Sequence, residues 1–158
     1  MAASFDIRRV DPVLTRPVRR QVLRPHQTLE ELIVPGEDDP EAGWFAAFHT
    51  RVAGDVVIGT AGVFPEDRPE TGPGGWRLRA MAVTTPGVGV GTALLGACLA
   101  HAGQRGGVYL WASARMPAAG VYLRHWFVTV SDVYEPPGLG PHVTMVRERI
   151  IEPGEPPP

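Results

Sequence analysis

Polar and apolar positions follow two periods in the second half of the chain. Trp76-Arg77-Leu78-Arg79-Ala80-Met81-Ala82-Val83-Thr84 alternates large apolar with polar side chains and then turns small and apolar, as a strand entering a core does. From Val90 to Ala102 the period lengthens, and Leu94, Leu95, Cys98, Leu99 and Ala102 recur at helical spacing. Leu110 to Arg115 predicts a short buried strand leading into a loop, and Pro117 to Trp126 a short helix with proline in its opening turn. Alternation returns from Phe127 to Val133, and His142 to Arg147 forms a last apolar strand.

The first half is less regular. Phe5 to Val10 predicts an opening strand; Asp11-Pro12 can cap a helix reaching about Leu23, although Pro17 makes a start near Thr15 equally compatible. Arg16, Arg19, Arg20 and Arg24 cluster there and read as a solvated helix face, because Glu30 and Glu31 follow closely. Val34 to Gly43 is an acidic, Pro- and Gly-rich loop. Trp44 to Val52 and Asp55 to Phe64 form a hairpin around Ala53-Gly54-Asp55, and Pro65 to Gly75 predicts a long mobile connection. The sum is an α/β chain with a mixed sheet of six or seven strands. Residues 1–150 are expected to make one domain and 151–158 a disordered proline-rich tail.

Between the strand at 76–84 and the helix after it stands Pro86-Gly87-Val88-Gly89-Val90-Gly91-Thr92. Alternating glycines let backbone approach a ligand, and a helix start offers unpaired N–H groups and the positive end of its dipole, which suits a phosphate. Plain turn glycines explain the loop equally well. All 15 basic residues are arginines, so a Walker-type loop and Schiff-base chemistry are both excluded. A dinucleotide fingerprint fails too, since the third glycine would fall on Thr92 or Leu94.

Composition narrows the partners. A chain of 158 residues with 44% hydrophobic residues and a net charge of −2 can bury a core and gives no reason to expect nucleic acid or anionic membrane. Cys98 lies on the apolar helix stripe and reads as a small core residue. No apolar run approaches eighteen residues, and Met1 to Asp6 lacks a basic region and a hydrophobic segment, so a cytoplasmic protein is expected. His26, His49, His101 and His125 show no metal-ligand spacing with each other or with Cys98, and no metal is expected.

Taken in order, Met81-Ala82-Val83, the Gly87–Gly91 loop, Thr92-Ala93-Leu94-Leu95, Ala114-Arg115-Met116-Pro117-Ala118, Val121-Tyr122, Phe127 and Gly138-Leu139-Gly140-Pro141-His142-Val143-Thr144-Met145 resemble the GNAT superfamily of N-acetyltransferases. The resemblance covers residues 76 to 147. Two departures stand out: Pro86 occupies the place where the family usually has Arg or Gln, in a loop about two residues short, and His125-Trp126-Phe127 replaces the common Leu-Gly-Phe.

The resemblance implies a GNAT-like, mostly antiparallel sheet flanked by helices and splayed between strands 76–84 and 107–112. It implies acetyl-CoA (coenzyme A) as acetyl donor, with a small-molecule or peptide amine as acceptor, and it makes a homodimer plausible. Backbone around Met81, Ala82 and Val83 would bind the pantetheine arm, with a backbone N–H near Val83 as oxyanion donor. Gly87, Val88, Gly89, Val90, Gly91 and Thr92 would bind the pyrophosphate, and Ser113 would touch the pantetheine. Tyr122 falls where the family often places a tyrosine that protonates the departing sulfur; it also reads as a core aromatic. The general base stays open among Glu66, Asp132, Glu135, His142 and bulk water, and a strand-end role explains His142 as readily. The acceptor pocket is expected from the first helix region and the 65–75 loop, with Trp44, Phe64 and Trp76 as candidate linings that read equally as core. Acetyl transfer, acyl-CoA binding without turnover, and a domain without a nucleotide ligand are the three readings carried forward.

Overall fold

The two periods become one seven-stranded sheet with three α-helices in the computed structural model, which describes residues 4–150. The tail expected at 151–158 lies outside the described residues. In chain order the elements are β1 (Phe5–Arg9), α1 (Arg16–Leu23), β2 (Gly43–His49), β3 (Val57–Pro65), β4 (Gly75–Val83), α2 (Val90–Gln104), β5 (Tyr109–Arg115), α3 (Ala119–Arg124), β6 (Val128–Thr129) and β7 (His142–Arg147). The sheet runs β1-β2-β3-β4-β5-β7-β6, and its one parallel pair among the described residues is β4 with β5.

Strand alternation divides the sheet into two faces. Phe45, Ala47, Ala61, Val63, Trp76 and Leu78 pack with Leu94, Leu95 and Cys98 of α2, while Trp44 and Phe64 belong to a second cluster on the other face. Leu94 and Leu95 are fully buried, each contributing roughly 1.5–3 kcal/mol by leaving water. Cys98 is buried among them, and burial pushes its thiol up, away from thiolate chemistry. The helix sits directly on β3 at Gly59, where a Cβ would fall 2.6 Å from Val90 Cγ1 and 3.0 Å from Leu94 Cδ1. That missing side chain sets the height of the N-terminus of α2 above the sheet.

On the second face, both helix starts suggested by the sequence are used. Asp11 Oδ1 accepts from the Val13 N–H and caps a 3-10 turn over Pro12–Thr15, after which α1 begins with Pro17 in its first turn. Arg19 overturns the reading of this helix as a wholly solvated basic face. It is buried, bonded to the Leu32 carbonyl, 3.7 Å from Glu37 and 4.9 Å from the Trp44 ring centroid. The acidic loop therefore supplies a counter-ion that folds the arginine inward.

Three further boundaries differ from the sequence reading. The 65–75 connection is tied down: the Tyr109 hydroxyl accepts from the Arg68 N–H at 2.7 Å and donates to Gly72 O at 2.6 Å, while Asp67 accepts from the Gly75 N–H at 2.8 Å. β5 continues through Arg115, because β7 pairs with it as far as His142. The strand expected at 127–133 shortens to Val128–Thr129, since Ser131 uses its hydroxyl to accept from the Thr144 N–H.

Candidate active site

β4 and β5 pair in parallel only from Gly75/Tyr109 to Leu78/Ala112, although both strands run on. Their departure coincides with a bulge in β4. Gly62 pairs with Arg79 and Thr60 with Ala82, so β4 carries one extra residue there. Ala80 adopts φ +58, and the Thr60 hydroxyl bonds its carbonyl at 3.1 Å. Trp76 and Leu78 face the main core before the bulge and Met81 and Val83 after it, so the bulge reverses the alternation. The sequence shows this as the shift from alternating to uniformly apolar residues within Trp76 to Val83.

A cavity of about 510 Å³ occupies the split, with Arg79, Ala80 and Met81 on one wall and Ser113, Ala114 and Arg115 on the other. It extends from Tyr122 on the α2 side to Leu23 and Arg24 on the α1 side. The first helix region lines it as expected, but the 65–75 loop does not. Trp44, Phe64 and Trp76 are core residues instead, buried by the bulge-side packing and absent from the cavity wall.

The glycine loop follows directly from the split strand. Gly87 and Gly89 both have φ +86, a conformation that strains any other residue, and nothing lies within 4 Å of where a Cβ would stand. Residues 85–89 are exposed, and α2 starts at Val90 with Gly89 as a cap that offers no side-chain hydrogen bond. The first N–H groups of α2 thus face open space. This loop, together with the β4 edge at Met81 to Val83 that has no partner strand, fits a phosphate-bearing ligand with an extended arm. Thr92 Oγ1 lies 3.2 Å from His125 Nε2, which links the loop to the end of α3. Burial first, then Arg147 and Arg124, pull the His125 pKa down and favour its neutral ring.

The end of α3 is a six-residue cap in which the Phe127 N–H reaches back to Tyr122 O at 3.1 Å. Phe127 and Tyr122 pack edge to face, with ring centroids 5.2 Å apart. Trp126 occupies the left-handed position with φ +64, half exposed, and meets Arg147 rather than the cavity. Replacing a side chain there by glycine gains about 1 kcal/mol, and losing the contact of the half-exposed ring with the buried Arg147 gives back about half of it. Trp126→Gly should therefore raise the Tm by about 1–2 °C. A lower Tm in a melting experiment would show that the stacking outweighs the backbone strain.

Tyr122 is buried on the cavity wall, and its hydroxyl makes no hydrogen bond within the described residues. Burial, with Cys98 adding to it, pushes the phenol above its ordinary value. Of the four candidate bases, His142 alone lines the cavity; Asp132 and Glu135 are exposed elsewhere, and Glu66 holds Arg77 at 2.8 Å. His142 Nδ1 lies 2.8 Å from Gly140 O. A carbonyl only accepts, so Nδ1 carries the proton and Nε2 of the neutral ring keeps a lone pair. The ring stacks on Tyr134, whose hydroxyl bonds Ser113 Oγ and lies 3.2 Å from Thr144 Oγ1.

Tyr134 and Glu31 are cavity residues that the sequence reading passed over. Thr28 and Glu31 form a reciprocal capping pair at 3.1 and 3.2 Å, and the T-x-x-E spacing was the available signal. Tyr134 lies in a polar loop and carried no such signal. Among the described residues no group of His, Cys, Asp and Glu side chains is arranged to hold a metal, and no helix is long and apolar enough to cross a membrane.

Comparison with known proteins gives the family and the fold. The sequence model of the Acetyltransferase (GNAT) family matches residues 13–127. The chain is 29% identical over 138 residues to "Uncharacterized N-acetyltransferase YitI" of Bacillus subtilis (strain 168), covering 84% of this chain and 89% of that protein. Its fold is similar to that of an IAA acetyltransferase from Bacillus cereus ATCC 14579, with TM-score 0.66, 18% identity, and 92% and 99% of the two chains covered. It is also similar to an aminoglycoside 6'-N-acetyltransferase complexed with coenzyme A, with TM-score 0.64, 19% identity, and 95% and 99% covered.

Proposed function

The chain belongs to the GNAT family of acetyltransferases, and from that membership we propose that it moves an acetyl group from acetyl-CoA directly to the primary amine of a small molecule or peptide. The observation that carries this reading is the parting of β4 from β5 beside the glycine loop, with Tyr122 and His142 on the wall of one cavity. Bound acetyl-CoA would supply the thioester carbon that the amine attacks and the sulfur that leaves.

Each part of the site then has a task. Gly87, Val88, Gly89, Val90, Gly91 and Thr92 hold the pyrophosphate on backbone N–H groups at the start of α2. The free edge of β4 at Met81, Ala82 and Val83 takes the pantetheine arm as an added strand would, with the Ser113 hydroxyl opposite. His142 Nε2 removes a proton from the ammonium form of the acceptor, leaving the neutral amine to attack. The C–N bond forms as the C–S bond breaks, the Val83 N–H donates to the carbonyl oxygen as it gains charge, Tyr122 passes its proton to the sulfur, and the second proton that the nitrogen sheds on becoming an amide restores the phenol by way of solvent.

Thermal melting with acetyl-CoA tests the first requirement, since a ligand that binds only the folded chain must raise the Tm. A rise of about 5–10 °C is expected at one hundred times the dissociation constant. No rise at millimolar acetyl-CoA would sink the proposal. Release of free thiol in the presence of an amine panel tests the second, and binding without release would leave an acyl-CoA-binding protein. Pro86, which cannot donate a hydrogen bond to the pyrophosphate, is the feature that favours that outcome.

A further inference from the structure

Among the described residues five arginines line the cavity, and Glu31 is the one carboxylate on its wall. Two of the five are compensated: Arg19 lies 3.7 Å from Glu37, and Arg77 Nη1 lies 2.8 Å from Glu66. The other three are compensated weakly or not at all. Arg79 shares Glu66 only at 4.0 Å, and its Nε is buried without a hydrogen-bond partner. Arg115 spends Nη2 on the neutral Leu23 carbonyl at 2.6 Å. The Arg24 guanidinium makes no hydrogen bond or ion pair within the described residues. Glu31 does not reach them, since its carboxylate accepts from the Thr28 N–H at 3.1 Å.

These three come from different elements: Arg24 from the end of α1, Arg79 from β4 beside its bulge, and Arg115 from the last position of β5. Arg24 and Arg115 repel each other, and Arg79 is repelled by Arg77 and Arg24. Bringing like charges into one half-buried space is unfavourable unless something of opposite sign joins them. Guanidinium forks match the oxygens of a carboxylate or phosphate.

We infer that the acceptor amine carries its own anionic group, a carboxylate or a phosphate, and that Arg24, Arg79 and Arg115 hold that group while the amine faces His142 and Tyr122. The inference deepens the acetyl-transfer reading and rests on it for the amine end alone. A substrate of this class neutralises the cluster and is oriented by it, whereas a polycationic amine meets repulsion at the same wall.

The test uses the full chain with acetyl-CoA and amines in matched pairs: γ-aminobutyrate against n-butylamine, O-phosphoethanolamine against ethanolamine, and spermidine as the polycation. At least one member carrying the anionic group should exceed its partner without it tenfold or more in kcat/KM, and which pair responds names the anion. Arg24→Gln should raise KM for that acceptor tenfold with kcat little changed, Arg24→Lys should recover part of the loss, and KM for n-butylamine should not rise. Without ligand, Arg24→Gln should melt at or above the parent temperature, because it removes one of three repelling charges. Preference for the amines without an anionic group or for spermidine, or no preference, would overturn the inference and leave acetyl transfer standing. If no amine is acetylated, the same cluster is read by melting with glutarate and with inorganic phosphate. A rise in the parent that Arg24→Gln abolishes upholds the anion site although the transfer reading has failed, and no rise with either anion overturns the site.

Discussion

Tyr122→Phe is expected to lower kcat by about 10²–10⁴-fold, the usual contribution of a positioned proton donor, while leaving the KM for acetyl-CoA and the Tm close to the parent values. The substitution removes one oxygen that makes no hydrogen bond within the described residues, and the edge-to-face packing on Phe127 at 5.2 Å survives. Fold and cofactor binding should therefore be intact. The pH dependence has a definite sign. Because burial and Cys98 push the phenol upward, it keeps its proton in the folded enzyme beyond the ordinary tyrosine range. Parent turnover should consequently show no fall from tyrosine ionisation as pH rises towards 10, since the acid form is the working form. Stopped turnover with thiol detection across pH 6–10 measures both quantities. Parent-like rates for Tyr122→Phe throughout would make Tyr122 a core aromatic and nothing more.

How far the site could be read in advance depended on whether its signal was local. The glycine loop announces itself, because φ values of +86 at Gly87 and Gly89 can be met only by residues written plainly in the chain. The α2 stripe is equally legible, since burial of Leu94, Leu95 and Cys98 follows from spacing alone. The split between β4 and β5 is half visible: the change in pattern from Trp76 to Val83 records the bulge, but not the pairing that ends at Leu78 and Ala112. Charge was the least legible. Arg19 and Arg24 belong to one short basic run, and the fold sends the first to Glu37 and leaves the second on the cavity wall without a counter-ion among the described residues. That separation depends on an acidic loop and on β4 and β5, all distant in sequence. The same holds for His142, which meets Tyr134 and Arg115 only across strand pairing.

His142→Ala should lower kcat/KM by about 10²–10⁴-fold near neutral pH, and added imidazole should restore part of the loss. An alkyl ammonium titrates near 10.4, so roughly one acceptor in a few thousand is neutral at pH 7. A base within the site removes that penalty at the moment of attack, and its absence returns it. The geometry supplies the base in the correct form: Gly140 O at 2.8 Å fixes the proton on Nδ1 and leaves Nε2 to accept. The variant should still fold, because the backbone bonds that seat residue 142 on Tyr134, at 2.7 and 2.9 Å, do not use the imidazole. It does lose the stacking on Tyr134 and opens space beside a cavity of about 510 Å³, which gives free imidazole a place to enter. Rescue by imidazole distinguishes a missing base from a disturbed strand end, since a structural defect gains nothing from a diffusible base. Parent-like kcat/KM in His142→Ala would hand the deprotonation to solvent. A loss that imidazole leaves untouched, with a lower Tm, would reduce His142 to the bond it makes with Gly140.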